Sequence, residues 1–293
     1  MANNQPPGFA AAVCAAGALG TIAGAALSPD ELRAEIRAMP DGAAFAVNLF
    51  APPYLQEDAL AVVLEERPAV FSFTFGIVDP APLHEAGIEV WGTATSAEEA
   101  AALREAGVDA VVAQGAEAGG HRGSFANRED MPVYGLLPLL ALIAAAVPLP
   151  LVASGGIADG AALAAVLCAG ARAAQIGTAF MLAPEAGTSA AHRAALRAPG
   201  ETVLTRAFTG RAARGIRNEF IAEHESHAAL AYPELHHVTA AMRRIARERG
   251  DATRINLWAG QAHELAVERP AAETVHELTR AARAALRRAA ERL

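Results

Sequence analysis

The feature that most restricts how this chain can fold is a repeated pair of segments. An alanine-rich run closes on Ala-Gly, and a short β-branched or apolar run follows. The pairs are Ala16-Gly17, Ala86-Gly87, Ala106-Gly107 and Ala169-Gly170. Glycine just past a helix end takes the left-handed conformation that stops the helix, so each pair reads as helix, stop, strand. Helix starts are also written in. Ser28-Pro29-Asp30-Glu31 and Ser96-Ala97-Glu98-Glu99 fit the capping box, and Pro29 suits the first helical position. The pattern predicts strands over 20–23, 45–49, 70–75, 89–92, 110–113, 151–154 and 173–176. Helices are expected over 8–16, 29–38, 55–66, 80–85, 97–106, 133–146 and 160–169. Strands alternating with helices call for a parallel sheet with right-handed crossovers.

The expected fold class is α/β, a TIM (β/α)8 barrel, and the count adds a condition. Seven strands cannot close an eight-stranded barrel, because the first and last would each keep an unpaired edge. The expectation is a barrel lacking its first strand in this chain, with the strands at 20 and 173 flanking an open slot and residues 1–4 near its top. The missing segment would be about 5–10 residues long. After 176 the chain turns charged and helical, and no further strand is expected. The predicted organisation is residues 1–182 plus about 270–293 as the barrel, with about 183–269 as an added helical substrate or lid region.

At 293 residues the chain can bury a sizeable core. A net charge of −8 argues against a nucleic-acid partner. There is no lysine, so every fixed cation is an arginine. Cys14 and Cys168 sit in apolar helical patterns and read as buried free thiols. Residues 8–27 carry no charge, but residues 1–7 contain no Lys or Arg and four glycines interrupt the run. A signal peptide or membrane span is therefore not expected, and the reading is cytoplasmic.

The chemistry concentrates in residues 109–123, DAVVAQGAEAGGHRG. The apolar run at 110–113 hands over to a loop with glycines at 115, 119, 120 and 123 and one histidine, His121. Barrel active sites form at the C-terminal ends of strands, and glycines let backbone approach a ligand closely. Two further turns suit a phosphate: Ser154-Gly155-Gly156, ahead of a helix, and Gly177-Thr178, after the last strand. Adjacent His236 and His237 point to different faces and lack spaced partners, so no metal is expected. Arg211, Arg214 and Arg217 read as a solvated or ion-paired helix face near the barrel mouth. Trp258 is expected to pack the helical region onto the barrel.

These motifs together resemble the nitronate monooxygenases, formerly called 2-nitropropane dioxygenases, which are FMN-dependent barrels. The likeness runs through Ala16-Gly17-Ala18-Leu19-Gly20, Val47-Asn48-Leu49, the Ala113-to-Gly123 loop, Ser154-Gly155-Gly156-Ile157 and Gln175-Ile176-Gly177-Thr178. It continues in Thr205-Arg206-Ala207-Phe208-Thr209-Gly210 and Trp258-Ala259-Gly260-Gln261. The resemblance implies that Gly155, Gly156, Gly177 and Thr178 hold the FMN phosphate, with Ser154, Gln175 and Gly115 beside them in the cofactor site. It implies that Asn48 and Gln114 bond the flavin ring or ribityl chain. Gly119, Gly120 and Arg122 belong to the substrate loop, with His121 facing the substrate as catalytic base.

The family oxidises alkyl nitronates with O2 to a carbonyl compound and nitrite, and some members take neutral nitroalkanes. A near-neutral imidazole would suit removal of the α-proton from those. A homodimer is compatible with the family. Two departures stand out. Some members place a Lys where this chain has Trp91-Gly92-Thr93-Ala94-Thr95, so Thr93 and Thr95 are candidates to bond the cofactor instead. The family's first strand, with a Pro-Met-Ala-like end, has no counterpart before Met1. The alternatives are an FMN-dependent enoyl-ACP reductase, which shares a Gly-Gly-His loop but more often has Glu at Gln114, and a non-catalytic flavin binder.

Overall fold

The computed structural model of the chain describes residue 6 and residues 8–292. The elements begin with α1 (Phe9–Ala15), β1 (Gly20–Ala23), α2 (Pro29–Arg37), β2 (Phe45–Phe50), α3 (Glu57–Glu66) and β3 (Val70–Thr74). They continue with α4 (Ala81–Glu85), β4 (Glu89–Ala94), α5 (Ala97–Ala106), β5 (Ala110–Gln114), β6 (Gly120–His121) and α6 (Leu136–Ala146). Next come β7 (Leu151–Ser154), α7 (Gly160–Cys168), β8 (Ala173–Gln175), α8 (Ala190–Arg197), β9 (Thr202–Thr205) and β10 (Ala213–Ile216). The last are α9 (Glu219–His224), α10 (Glu234–Val238), α11 (Ala240–Arg249) and α12 (Ala271–Ala290).

Seven parallel strands form one curled sheet in the order β1-β2-β3-β4-β5-β7-β8. Its two edges are β1 and β8, so among the described residues the sheet does not close on itself, as the strand count required. The expectation for residues 1–4 lies outside the described residues. The local signals behave as their chemistry dictates. Gly17, Gly87, Gly107 and Gly170 all have φ between 79° and 97°, the left-handed region an L side chain avoids. Ser28 and Glu31 complete a reciprocal capping box at α2. At α5, Ser96 caps the Glu99 N–H, but the Glu99 carboxylate turns away. It accepts from Thr95 N–H at 2.7 Å, Thr95 Oγ1 at 2.8 Å and Phe125 N–H at 2.8 Å. Buried Glu99 thus ties the top of β4 to the far end of the histidine loop.

The core lies between the sheet and its helices, around Val47, Phe71, Phe73, Val111, Leu139 and Ile143, each at most 0 % exposed. The terminal helix α12 packs on α7 and α1. A Cβ on Gly160 would come 2.3 Å from Ala281 Cβ, so glycine is what lets α7 and α12 approach.

Two expectations fail. Residues beyond 176 are not all helical: β9, β10 and β6 make a three-stranded antiparallel sheet in the order β6-β10-β9. These strands are short, and the sheet joins a local pair, β9 and β10, to a strand about 90 residues back in sequence, with Ala213 opposite His121, which local periodicity does not register. The thiols are free but not buried: Cys168 is exposed, and Cys14 is partly exposed, donating to the Ala44 carbonyl at 3.3 Å. Cys168 stands at the last turn of α7, on the side that the apolar pattern alone cannot distinguish from the buried one.

Candidate active site

His121 lies on β6, lifted over the C-terminal edge of the sheet by the loop that leaves β5. The loop is anchored from beneath. Gln114, the last residue of β5, donates from Nε2 to the His121 carbonyl at 3.1 Å and accepts from Gly123 N–H at 2.7 Å. Arg122 Nη1 donates to the carbonyls of Gln114 at 3.1 Å and Gly115 at 2.7 Å. A Cβ on Gly123 would meet Thr93 Cγ2 at 2.7 Å, so glycine lets the loop settle onto the strand ends. Thr93, named as a cofactor residue, is buried beneath this loop, and Thr95 is spent on Glu99. Gln114 is chiefly the brace of the histidine loop, with a single Nε2 proton left over.

The imidazole sits in an aromatic enclosure. Its ring centroid is 6.1 Å from Phe75, 5.5 Å from Tyr232 and 5.6 Å from Trp258. Tyr54 packs edge-on against both Phe75 and Tyr232. Phe75 has φ of +80°, a strained backbone for a bulky residue and a feature that collects at functional sites. His121 Nε2 is 3.0 Å from Thr209 Oγ1, and Thr209 Oγ1 donates its one proton to the Arg211 carbonyl at 3.2 Å. The hydroxyl must then accept from His121, which assigns the Nε2–H tautomer and leaves the Nδ1 lone pair free. Nδ1 has no hydrogen-bond partner among the described residues.

Burial holds this imidazole neutral, pulling its pKa down to about 3, and the positive charges of Arg211, His236 and Arg243 add to the effect. The near-neutral value expected from the sequence is not what the enclosure provides. The cause is non-local, since Arg211 is 2 % exposed and stacks 4.0 Å over the Phe75 ring. Arg211 and Arg214 are therefore no solvated helix face: both are buried, and Arg214 lies on β10. Only Arg217 is exposed, paired with Glu201 at 2.8 Å.

Trp258 is held from behind. His192, 5 % exposed, donates from Nε2 to the Trp258 carbonyl at 3.1 Å. Burial lowers the His192 pKa to about 4, against the opposing pull of that carbonyl. Its folded pKa thus lies below the 6.5 of the unfolded chain. The stability from keeping His192 neutral is complete above pH 6.5 and is lost as pH falls toward about 4. The slope reaches at most about 1.4 kcal/mol per pH unit. Melting temperature measured across that interval should fall less steeply in His192→Gln than in the unaltered chain. Parallel curves would remove His192 from the account.

The two phosphate-type turns meet the histidine loop at the β7–β8 side. Gly155 has φ of +122° and Gly156 of +67°. A Cβ on Gly155 would stand 3.0 Å from Ala118 N and 3.3 Å from the Gly115 carbonyl. Thr178 Oγ1 accepts from Gly260 N–H at 2.9 Å, so its own proton remains to donate. A Cβ on Gly119 would lie 2.5 Å from Gly260 N, which shows how tightly the 259–261 segment closes on the loop. Ser154 receives Gly115 N–H on its carbonyl at 2.9 Å. Gln175 ends β8 as an exposed side chain, and Gly177 precedes the turn at Thr178 with φ of −113°. Asn48 donates from Nδ2 to Ser72 Oγ at 3.0 Å and to the Ser72 carbonyl at 3.2 Å, leaving Oδ1 to accept. Backbone glycines, a free hydroxyl proton and a free amide oxygen fit a phosphate-bearing cofactor with a polar ring edge. Tyr54, Phe75 and Tyr232 were not among the site residues read from the sequence, and Thr209 was read there only as part of a motif, without a role. Phe208-Thr209-Gly210 formed part of the resemblance, but the three aromatic residues had no signal there.

A parallel α/β sheet with a histidine loop and two glycine turns at its C-terminal edge is the layout of a barrel enzyme, whose site forms at the strand ends. Relatives narrow this. The nitronate monooxygenase family model matches residues 54–281. Nitronate monooxygenases from Paraburkholderia phytofirmans and Pseudomonas aeruginosa are each 38% identical to this chain. The first match spans 96% of this chain and 90% of the relative, the second 95% and 93%. A crystal structure of nitroalkane oxidase from Streptomyces ansochromogenes superposes with a TM-score of 0.95 at 40% identity, covering 98% of this chain and 95% of that one. FabK from Thermotoga maritima superposes with a TM-score of 0.86 at 28% identity, covering 100% and 94%. The chain belongs to the nitronate monooxygenase family. It is an enzyme of that flavin-dependent oxidoreductase group, and its relatives support oxidation of nitronates or nitroalkanes. Among the described residues no helix is long and apolar enough to cross a membrane.

Proposed function

We propose that the protein is an FMN-dependent enzyme that oxidises alkyl nitronates with O2 to a carbonyl compound and nitrite, with His121 at the substrate. The observation that carries this reading is the neutral, Nε2-protonated His121, enclosed by Phe75, Tyr232 and Trp258 and keyed by Thr209. Gly155, Gly156, Gly177 and Thr178 would hold the phosphate, Thr178 through its spare proton. Asn48, whose Oδ1 is left to accept, would bond the flavin ring or its ribityl chain. When bound, FMN supplies the electron transfer from substrate and the reaction with O2.

The remaining work belongs to the side chains. The aromatic enclosure excludes water and accommodates an alkyl chain. His121 Nδ1 is placed to take a proton. A base with a pKa near 3 is a weak acceptor for the α-proton of a neutral nitroalkane. A substrate anion beside it opposes the charges that depress it and raises its affinity for a proton. The site therefore favours the nitronate, which arrives deprotonated, over the neutral nitroalkane.

The visible spectrum of the purified protein, followed by identification of any flavin released on denaturation, tests the cofactor. Oxygen uptake with an alkyl nitronate tests the reaction. NAD(P)H oxidation with an enoyl thioester, and no oxygen uptake with nitronate, would overturn it in favour of a reductase. A colourless protein that takes up no FMN would overturn both.

A further inference from the structure

The small antiparallel sheet that carries His121 has two faces, because successive residues on a strand point to opposite sides. His121 faces the aromatic enclosure. Arg122, next along the chain, faces the other way. Arg214, opposite Gly120 on β10, shares that reverse face. Arg206 follows Thr205, which stands opposite Ala213, and so falls on the reverse face as well.

On that side the top of β4, the 122–133 segment and the β9–β10 pair enclose a cavity of about 210 Å³. Its wall carries Arg122, Arg128, Arg206 and Arg211 and one acid, Glu129; Arg128 is paired with Asp130 at 3.2 Å, Arg211 donates to the carbonyls of Arg122 and Ser124, and Glu225 accepts from Arg206 N–H at 3.2 Å. Its neutral donors are spent: Thr95 Oγ1 on Glu99 at 2.8 Å, Ser124 Oγ on the Ala126 carbonyl at 3.0 Å, and Asn127 Nδ2 on the Gly210 carbonyl at 2.8 Å. What is left unspent is cationic. Arg122 Nη2 and Arg206 Nε are buried with no hydrogen-bond partner among the described residues. Arg122 is 5 % exposed. Burial lowers its pKa only to about 10, with Glu99 and Glu117 opposing, so it stays charged at neutral pH. Burying a guanidinium N–H without an acceptor is costly, and two such groups on one cavity wall call for the same remedy.

We propose that this cavity binds a small oxyanion, a phosphate or carboxylate group, held by Arg122 and Arg206 on the reverse face of the sheet that presents His121. The site is separate from the cofactor-phosphate turns at Gly155 and Gly177, which lie at the ends of β7 and β8. It does not depend on which substrate the enzyme oxidises. Because Arg122 also holds the carbonyls of Gln114 and Gly115, an anion there braces the base of the histidine loop.

The test is a calorimetric titration of inorganic phosphate, and separately of malonate, into protein saturated with FMN at constant ionic strength. Arg206→Gln is the informative variant, because Arg206 is only partly buried and its replacement spares the Arg122 brace. The unaltered protein should show one saturable site. Arg206→Gln should weaken it by roughly tenfold or more, the loss typical of a hydrogen bond to a charged group, and should abolish the rise in melting temperature caused by the anion. Gly177→Val should leave the anion affinity unchanged. Preference for phosphate assigns a phosphoryl ligand and preference for malonate a carboxylate. No saturable binding of either anion, or equal affinity in Arg206→Gln, overturns the proposal, as does loss of binding in Gly177→Val alone.

Discussion

His121→Asn should lose turnover of neutral nitroalkanes by about 10²–10⁴-fold, the usual contribution of a general base, while retaining flavin. Asparagine ends near the Nδ1 position and gives up the contact to Thr209 Oγ1, now 3.0 Å from Nε2, but Phe75, Tyr54 and Tyr232 pack on one another without His121 and should keep the enclosure. Oxidation of a nitronate needs no proton removed from carbon, and it should fall much less. The pH profile adds a second reading. An imidazole with a pKa near 3 is neutral throughout the working range. Activity in the unaltered enzyme should therefore show no ascending limb near pH 6.5, the ordinary histidine value. Equal losses on both substrates, measured by oxygen uptake, would make His121 a binding residue instead of a base. An ascending limb at 6.5 that vanished in His121→Asn would show that bound ligand and cofactor restore an ordinary pKa.

Gly155→Val should carry the largest penalty on cofactor binding. The position has φ of +122°, and a Cβ there would meet Ala118 N at 3.0 Å and the Gly115 carbonyl at 3.3 Å. Valine must either strain the backbone or push the histidine loop away. Strain of this kind costs on the order of 1–3 kcal/mol, equivalent to roughly a tenfold to hundredfold loss in FMN affinity. Gly177, with φ of −113°, carries no such strain. Gly177→Val should act only by crowding the phosphate, and so more weakly. Flavin fluorescence titration measures both, with far-UV circular dichroism to confirm the fold. Unchanged affinity in a folded Gly155→Val protein would place the phosphate elsewhere.

Much of the scaffold was legible in the sequence because its signals are local. A capping serine, a helix-stopping glycine and a β-branched run each act within a few residues. They placed all seven parallel strands within about two residues of their observed ends, and they required two free edges. The histidine loop was legible for the same reason: glycines at 115, 119 and 123 permit close packing that a Cβ would block, and Gly120 takes a left-handed backbone with φ of +77°.

What the sequence could not express was pairing and burial set at long range. The β9–β10 pair looked like charged helix because strands of four residues show too little periodicity, and the third strand of their sheet, β6, lies far back in the chain. Arg211 looked like a surface cation, yet Phe75 and the carbonyls of Arg122 and Ser124 enclose it. Cys168 looked buried because apolar helix composition does not say which side faces water. The pKa of His121 was misjudged for a related reason. A single histidine in a glycine loop has an ordinary value until Tyr232, Trp258 and Phe75 are brought around it. By itself, the sequence determined the α/β alternation, the parallel strand set and the residues available for chemistry, since helix caps, stops and strand propensity act through neighbouring backbone. Only the tertiary structure decided which of those residues share a site, the tautomer of His121 and the cationic cavity behind it. Desolvation and charge proximity are properties of packing, and packing joins segments that are distant in the chain.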